Sequence, residues 1–211
     1  MQNRSKHDLL QEMQDMQKEL DNLKAIMLRY ENDGKILKDK LDSLAKILDQ
    51  TINALAMAIE MRDPYTAMHQ RRVTELVTAI ARELDFEPER LKGVQVAAAL
   101  HDIGKIGIPL DILIKPGVIT DLEYSLIKEH SRVGYNILKE IKFPWPVAQI
   151  VLQHHERIDG SGYPAGLRCG DILLEAKIIA VADVVEAMTS HRPYRSALGL
   201  DAAISEIKNN Q

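Results

Sequence analysis

A single cysteine, Cys169, occurs among 211 residues, so an internal disulfide is excluded. Aromatic residues make up only 4% of the chain, and β-branched residues do not gather into alternating runs, so no strand is predicted. Long apolar runs are missing too. VAAAL near residue 98 and IIAVADVV near residue 181 are far too short to cross a bilayer, and the start MQNRSKHDLLQEM lacks the apolar core of a signal peptide. A reduced, cytoplasmic setting is therefore expected. Positive charge is scarce as well. With 27 Lys and Arg against 31 Asp and Glu, the formal net charge is −4, which gives no broad field for long nucleic acid; a phosphate site must be compact.

What is present divides into two parts, expected at 1–58 and 59–211. In the first, Leu9, Met13, Met16, Leu20, Leu23, Met27, Tyr30, Gly34, Leu37, Leu41, Leu44, Leu48, Thr51 and Leu55 are spaced alternately by four and three. Twelve of these fourteen are apolar, and charged residues fill the positions between them. Such a 3.5-residue repeat is the seam of a coiled coil, which needs a partner helix, and it predicts a homodimer. Two alternatives stand beside it: an amphipathic helix folded back on its own domain, or a turn at Asn32, Asp33 and Gly34 joining two shorter helices.

Beyond Asp63 and Pro64 the pattern changes to apolar-periodic segments separated by Gly and Pro. Helices are predicted near 65–84, 88–101, 121–139, 145–155, 172–190 and 200–208. Thr120 with Glu123 matches a capping box, and Pro88 and Asp171 suit helix starts. The fold class is all-α, a helical bundle of about 150 residues behind a long N-terminal helix.

Of seven histidines, His7, His69, His101, His130, His154, His155 and His191, five lie at or near predicted helix ends. One histidine on a helix is ordinarily a surface or satisfied core residue. The context of HDIGK at 101–105 is different, because it follows the apolar run VQVAAAL and sets His101 and Asp102 at the buried end of a helix. Imidazole and carboxylate side by side there are costly without a shared cation. His154 and His155 likewise follow the apolar IVLQ, and Asp183 interrupts the apolar IIAVADVVEAM. Asp183 is read either as a metal ligand or as half of a buried ion pair with an arginine.

HDIGK followed by HHERIDGSGYP at 154–164 resembles the HD-GYP family, a branch of the HD-domain metal-dependent phosphohydrolases. The likeness runs from about Asp63 to Arg195. It takes in DPYTAMHQRRV at 63–73, HDIGKIGIP at 101–109, the KPG of 115–117, His130 in KEHSRVG, the HHExxDGxGYP string and ADVVEAMTSHRPYR at 182–195. The resemblance implies an HD-type helical bundle that hydrolyses cyclic di-GMP to linear pGpG through a water activated between two metal ions. It implies His69, His101, Asp102, His130, His154, His155 and Asp183 as metal ligands. Asp102 would bridge, with His69, His101 and Asp183 on one ion and His130, His154 and His155 on the other. Asp102 and Lys105 would carry catalytic roles, and Lys105, Arg192 and Arg195 would hold substrate phosphate. Mixed imidazole and carboxylate donors suit two divalent transition ions, and the family favours iron or manganese. Glu156 and Asp159 are expected to orient the histidines, Tyr163 and Pro164 to shape the loop lip, and the glycines to let backbone approach a bound nucleotide.

Two departures from the family pattern stand out. Tyr65 occupies the position where some members supply a glutamate to a third metal, so two metals are expected and conversion to GMP is not. The chain also stops at SEIKNNQ, where family domains commonly continue, so one flank of the bundle is expected to be thinly covered. Sensory or receiver domains, or diguanylate cyclase partners, are the implied upstream components. The reading from another class is a relay module that binds cyclic dinucleotide but turns over little. A third reading keeps the hydrolase and changes the phosphate ester, for instance to another cyclic dinucleotide.

Overall fold

The computed structural model describes residues 6–62, 68–190 and 197–209. Its helices are α1 (Lys6–Glu60), α2 (His69–Glu83), α3 (Pro88–Leu100), α4 (Leu110–Leu113), α5 (Asp121–Lys128), α6 (His130–Leu138), α7 (Val147–Gln153), α8 (Leu174–Thr189) and α9 (Leu200–Asn209). A 3-10 segment, Ile103–Gly107, follows α3. Among the described residues there is no strand, and the one isolated β-bridge pairs Asp159 with Arg168. The fold is all-α, as the sparse β-formers require. No described helix is long and apolar enough to cross a membrane.

The chain forms two compact units, Met1–Gln50 and Thr51–Gln211. The described residues of the first, from Lys6 on, are all helix. The helix runs without a break through Asn32, Asp33 and Gly34, so the turn weighed at that point does not form. Its seam residues are open to solvent, from 46% exposure at Leu20 to 74% at Tyr30.

The second unit holds the core. Residues four apart on α2, Val73, Val77 and Ala81, are fully buried below His69. They share one core with Val94, Ala97 and Ala98 of α3 and Ala176, Ile179 and Ala182 of α8, the two helices α2 packs against, and with Ile150 and Val151 of α7, which packs on α3 and α8. Alanine and valine at these contacts let the helix axes approach closely, and their ends converge on one region of the bundle. Ile52 and Ile59, from the last turns of α1, join the same core.

The predicted helices are present with ends shifted by one or two residues, 65–67 of the first lying outside the described residues, and one helix is split. The segment expected at 121–139 is two helices broken at Glu129, because His130 Nδ1 takes the Ile127 carbonyl at 2.6 Å. That carbonyl is the acceptor a continuous helix would use for the next turn. The Thr120 and Glu123 capping box forms, with Glu123 N on Thr120 Oγ1 at 3.3 Å and Thr120 N on Glu123 Oε2 at 2.8 Å. The short turns at 103–107 and 110–113 carry no periodic signal and were not predicted.

Gly104 marks the tightest contact. A Cβ built there would lie 1.8 Å from the backbone oxygen of His130 and 2.5 Å from Gly134 N. Backbone cannot yield as a side chain can, so Gly104→Ala is expected to cost about 3 kcal/mol or prevent folding. Gly34→Ala meets nothing within 4 Å and should stabilise α1 by about 0.5–1 kcal/mol. Chemical-denaturation midpoints of the two variants check both signs.

Candidate metal centre

Three histidines use one local device. His101 Nδ1 bonds the Ala98 carbonyl at 2.7 Å, His130 Nδ1 the Ile127 carbonyl and His154 Nδ1 the Val151 carbonyl, each at 2.6 Å. Each ring sits at a helix end and caps the carbonyl three residues back, where the helix leaves acceptors without a partner. A carbonyl only accepts, so Nδ1 carries the hydrogen in all three. In a neutral ring Nε2 is then a bare lone pair aimed away from the helix.

The Nε2 atoms of His130 and His154 face each other at 3.2 Å. Both rings are buried, and burial lowers both pKa values, against the pull of Asp102. Two neutral rings of this tautomer put lone pair against lone pair, an arrangement that needs a cation between them. The spacing also fits two nitrogens sharing one ion at roughly 2.1 Å from each. His155 completes this group: its donor lies within 4.8 Å of theirs, and its ring stacks on Tyr163 with centroids 4.7 Å apart. Burial, then His130, lowers the His155 pKa to about 3.

His69, His101 and Asp183 form a second group whose donor atoms also lie within 4.8 Å of one another. Asp183 Oδ1 is 3.2 Å from His69 Nε2, and its carboxylate is 19% exposed toward a cleft. That cleft, about 280 Å³, is lined by His154, His155 and Asp183 together with Arg157, Lys177 and Val181. His69 Nδ1 bonds Glu186 Oε2, and Arg72 Nε and Ser190 Oγ each donate to the other Glu186 oxygen at 2.6 Å. Burial disfavours the charged His69, but its hydrogen bonds with Asp183 and Glu186 outweigh that and raise its pKa to about 9.

Asp102 stands between the groups. Its Oδ1 is 3.7 Å from His130 Nε2; its Oδ2 is 3.4 Å from His101 Nε2 and 4.0 Å from His69 Nε2. Lys105 Nζ at 2.7 Å and Gln70 Nε2 at 3.2 Å donate to Oδ2. Burial opposes ionisation, yet Lys105 and the surrounding rings hold the carboxyl well below the usual range. Gln70 Oε1, buried beside it, has no hydrogen-bond partner. Five imidazoles and two carboxylates thus meet in one region, an arrangement able to hold two divalent ions.

Other expectations fare differently. Glu156 does not orient the histidines: it is buried facing the loop, where Ala165 N and Leu167 N donate to it at 2.7 and 2.8 Å. Asp159 is exposed and accepts from Ser161 N at 2.8 Å. Gly162 is required by its own chain, since a Cβ there would lie 2.5 Å from both Glu156 Cα and the His155 oxygen. Arg192, Arg195 and Tyr65 lie outside the described residues. Glu186 and Gln70 were not singled out from the sequence. Glu186 carried the signal that exposed Asp183, an acid in an apolar helix, three residues further along the same face.

A family model described as HD domain matches residues 53–211. The chain is 44% identical over 160 residues to the cyclic di-GMP phosphodiesterase response regulator RpfG of Xanthomonas campestris, covering 75% of this chain and 42% of that protein. It is 42% identical over 188 residues to a cyclic di-GMP phosphodiesterase of Thermotoga maritima, covering 83% and 51%. Among solved structures, the HD domain of the Listeria monocytogenes phosphodiesterase PgpH in complex with cyclic-di-AMP aligns at TM-score 0.54 and 26% identity, covering 74% of this chain and 81% of that one. The chain belongs to the HD domain family, in its HD-GYP branch. It spans about half the length, or less, of these two curated relatives.

Without metal, the site sets a pH window on stability. An unfolded histidine takes a proton as pH falls through about 6.5, while half-buried His155 resists until about 3, so the folded state loses ground as pH falls below 6.5. His69 acts oppositely: its contribution is complete below 6.5 and is lost as pH rises through 9. For metal-free protein, His155 alone should remove about 2 kcal/mol between pH 7 and pH 5. Thermal melts in chelator at the two pH values check this, with His155→Gln flattening the dependence.

Proposed function

We propose that this chain is the hydrolytic part of a metal-dependent phosphodiesterase that opens cyclic di-GMP to linear pGpG. The observation that carries it is the 3.2 Å approach of the His130 and His154 Nε2 atoms, both rings having their hydrogens committed to carbonyls. The similarity to cyclic di-GMP phosphodiesterases supports the substrate class.

In this reading His69, His101 and Asp183 would hold one ion and His130, His154 and His155 the other, with Asp102 between the two groups available to both. Iron or manganese suits these donors. When bound, such a pair activates a water and neutralises charge on a phosphodiester. The residues do the rest. Glu186 fixes the His69 ring by bonding its Nδ1, and three helix-end carbonyls fix the tautomers of His101, His130 and His154. Lys105 keeps positive charge at Asp102 and, with Arg192 and Arg195, supplies the contacts for substrate phosphate. Tyr65, at the third-metal position of some members, points to two ions and to the linear dinucleotide as end product.

The first 58 residues act as a dimerisation and signalling helix. Their exposed seam is covered by a second copy, and upstream sensory, receiver or diguanylate cyclase partners pass input through it in the cytoplasm.

Protein loaded with Mn²⁺ or, without oxygen, Fe²⁺ should bind two ions per chain. Given a panel of cyclic dinucleotides, it should consume cyclic di-GMP fastest and accumulate pGpG. Loaded protein that leaves the whole panel intact sinks the reading. Asp102→Ala should lower turnover at least about a thousandfold, because it removes the carboxylate common to both groups. Removing residues 1–50 should convert a sedimenting dimer to monomer; a truncated chain that stays dimeric would contradict the seam.

A further inference from the structure

The last turn of α1 lies in the second unit, held in its core by Ile52 and Ile59. Two side chains, Glu60 at the end of α1 and Arg62 in the turn that follows it, reach toward the metal centre. Glu60 reaches α2: its Oε1 accepts from Gln70 N at 2.9 Å and its Oε2 from Met68 N at 3.2 Å. The start of α2 has no side-chain cap of its own, and Met68 sits there at φ 65°, a left-handed conformation unfavourable for a residue with a Cβ. Glu60 thus supplies, from another helix, the carboxylate that a helix N-terminus calls for. The two residues it positions matter. His69 faces Asp183, and Gln70 donates to Asp102.

Arg62 reaches the other way. Its Nη1 donates to the carbonyls of Lys105, at 3.2 Å, and Ile106, and its Nη2 to that of Ile108 at 3.2 Å. These carbonyls close the 3-10 segment that starts after Asp102 and carries Lys105. A guanidinium at the carbonyl end of a helical turn is favoured both by hydrogen bonding and by the aligned peptide dipoles. The end of α1 and the turn after it therefore tie the backbone that carries His69 to the backbone that carries Asp102, two side chains whose nearest donor atoms are 4.0 Å apart.

We propose that Glu60 and Arg62 are positioning residues that make assembly of the two-ion centre depend on the seating of the last turn of α1, so that input arriving along this helix regulates the site. The proposal rests on the metal reading above and deepens it with a means of control. Losing a supporting contact of this kind lowers metal affinity or activity by about ten- to a hundredfold.

The test uses the full chain, with Co²⁺ as probe, because its visible absorption reports coordination whatever the substrate proves to be. Arg62→Ala and Glu60→Ala should weaken Co²⁺ binding about tenfold and alter the visible spectrum. With Mn²⁺, both should lower kcat for cyclic di-GMP while KM stays within about threefold, the sign of displaced chemistry rather than lost substrate contact. Glu60→Gln and Arg62→Lys keep part of each hydrogen-bond set and should recover part of the Co²⁺ affinity, which separates positioning from simple failure to fold. Because the spectrum is independent of turnover, an altered spectrum supports the clamp even if cyclic di-GMP is not the substrate. Folded alanine variants with wild-type Co²⁺ affinity and spectrum would overturn it.

Discussion

Asp102 is a buried carboxylate set among imidazole rings, one lysine and one glutamine, and the rest of the second unit is arranged to make that tolerable. An ionised carboxylate out of water is stable only among fixed positive charge and hydrogen-bond donors. Lys105 and Gln70 supply two such partners, His69 stands at 4.0 Å, and the His101 and His130 rings turn toward the carboxylate Nε2 lone pairs that need a cation. The requirement reaches outward to the helices. His101, His130 and His154 can aim their Nε2 atoms together only if α3, α5 and α7 end in one region, and the small residues on the packing faces allow that. Each ring also serves the helix it terminates, so folding the helices and preparing the donors are the same event.

Local context made much of this legible in the sequence. Apolar runs that end in His101 and Asp102, or in His154 and His155, announce polar groups carried into a core, and Asp183 inside an apolar helix gives the same signal. The capping box at Thr120 needs only residues four positions long. What could not be read depends on the direction of a side chain or on distant backbone. Glu156 adjoins two histidines in sequence, yet points into the following loop because two of that loop's amide hydrogens need an acceptor. Arg62 bonds carbonyls more than forty residues away, and a carbonyl has no signature in sequence. The break at Glu129 arises from a histidine competing for a helix carbonyl, which no propensity scale encodes.

The first unit poses a different physical problem. A lone helix of 45 residues with its leucines in water has no tertiary packing to hold it, and helix propensity alone rarely suffices. Its sequence nevertheless keeps one phase across Gly34, a residue that weakens a helix interior, and among the described residues nothing lies within 4 Å of a Cβ built there. A repeat maintained through its weakest residue is in keeping with the second copy proposed to cover this seam.

The HDIGK segment shows why this residue order holds the site, position by position. His101 ends α3 by taking the Ala98 carbonyl and turns its free nitrogen inward. Asp102 follows at once, so imidazole and carboxylate leave the helix end on the same side. Ile103 enters the hydrophobic core and anchors the turn from beneath. Gly104 removes the side chain where the His130 backbone passes, which brings the next histidine ligand candidate within reach of Asp102. The 3-10 geometry then sets Lys105 three residues after Asp102 and directly over it, an eclipsed spacing that a wider α-helical turn would offset. A one-residue insertion anywhere in this stretch would separate the lysine from the carboxylate or drive a side chain into α6. The motif is therefore a packing solution before it is a chemical one, and the chemistry available to the site follows from how little room that solution leaves.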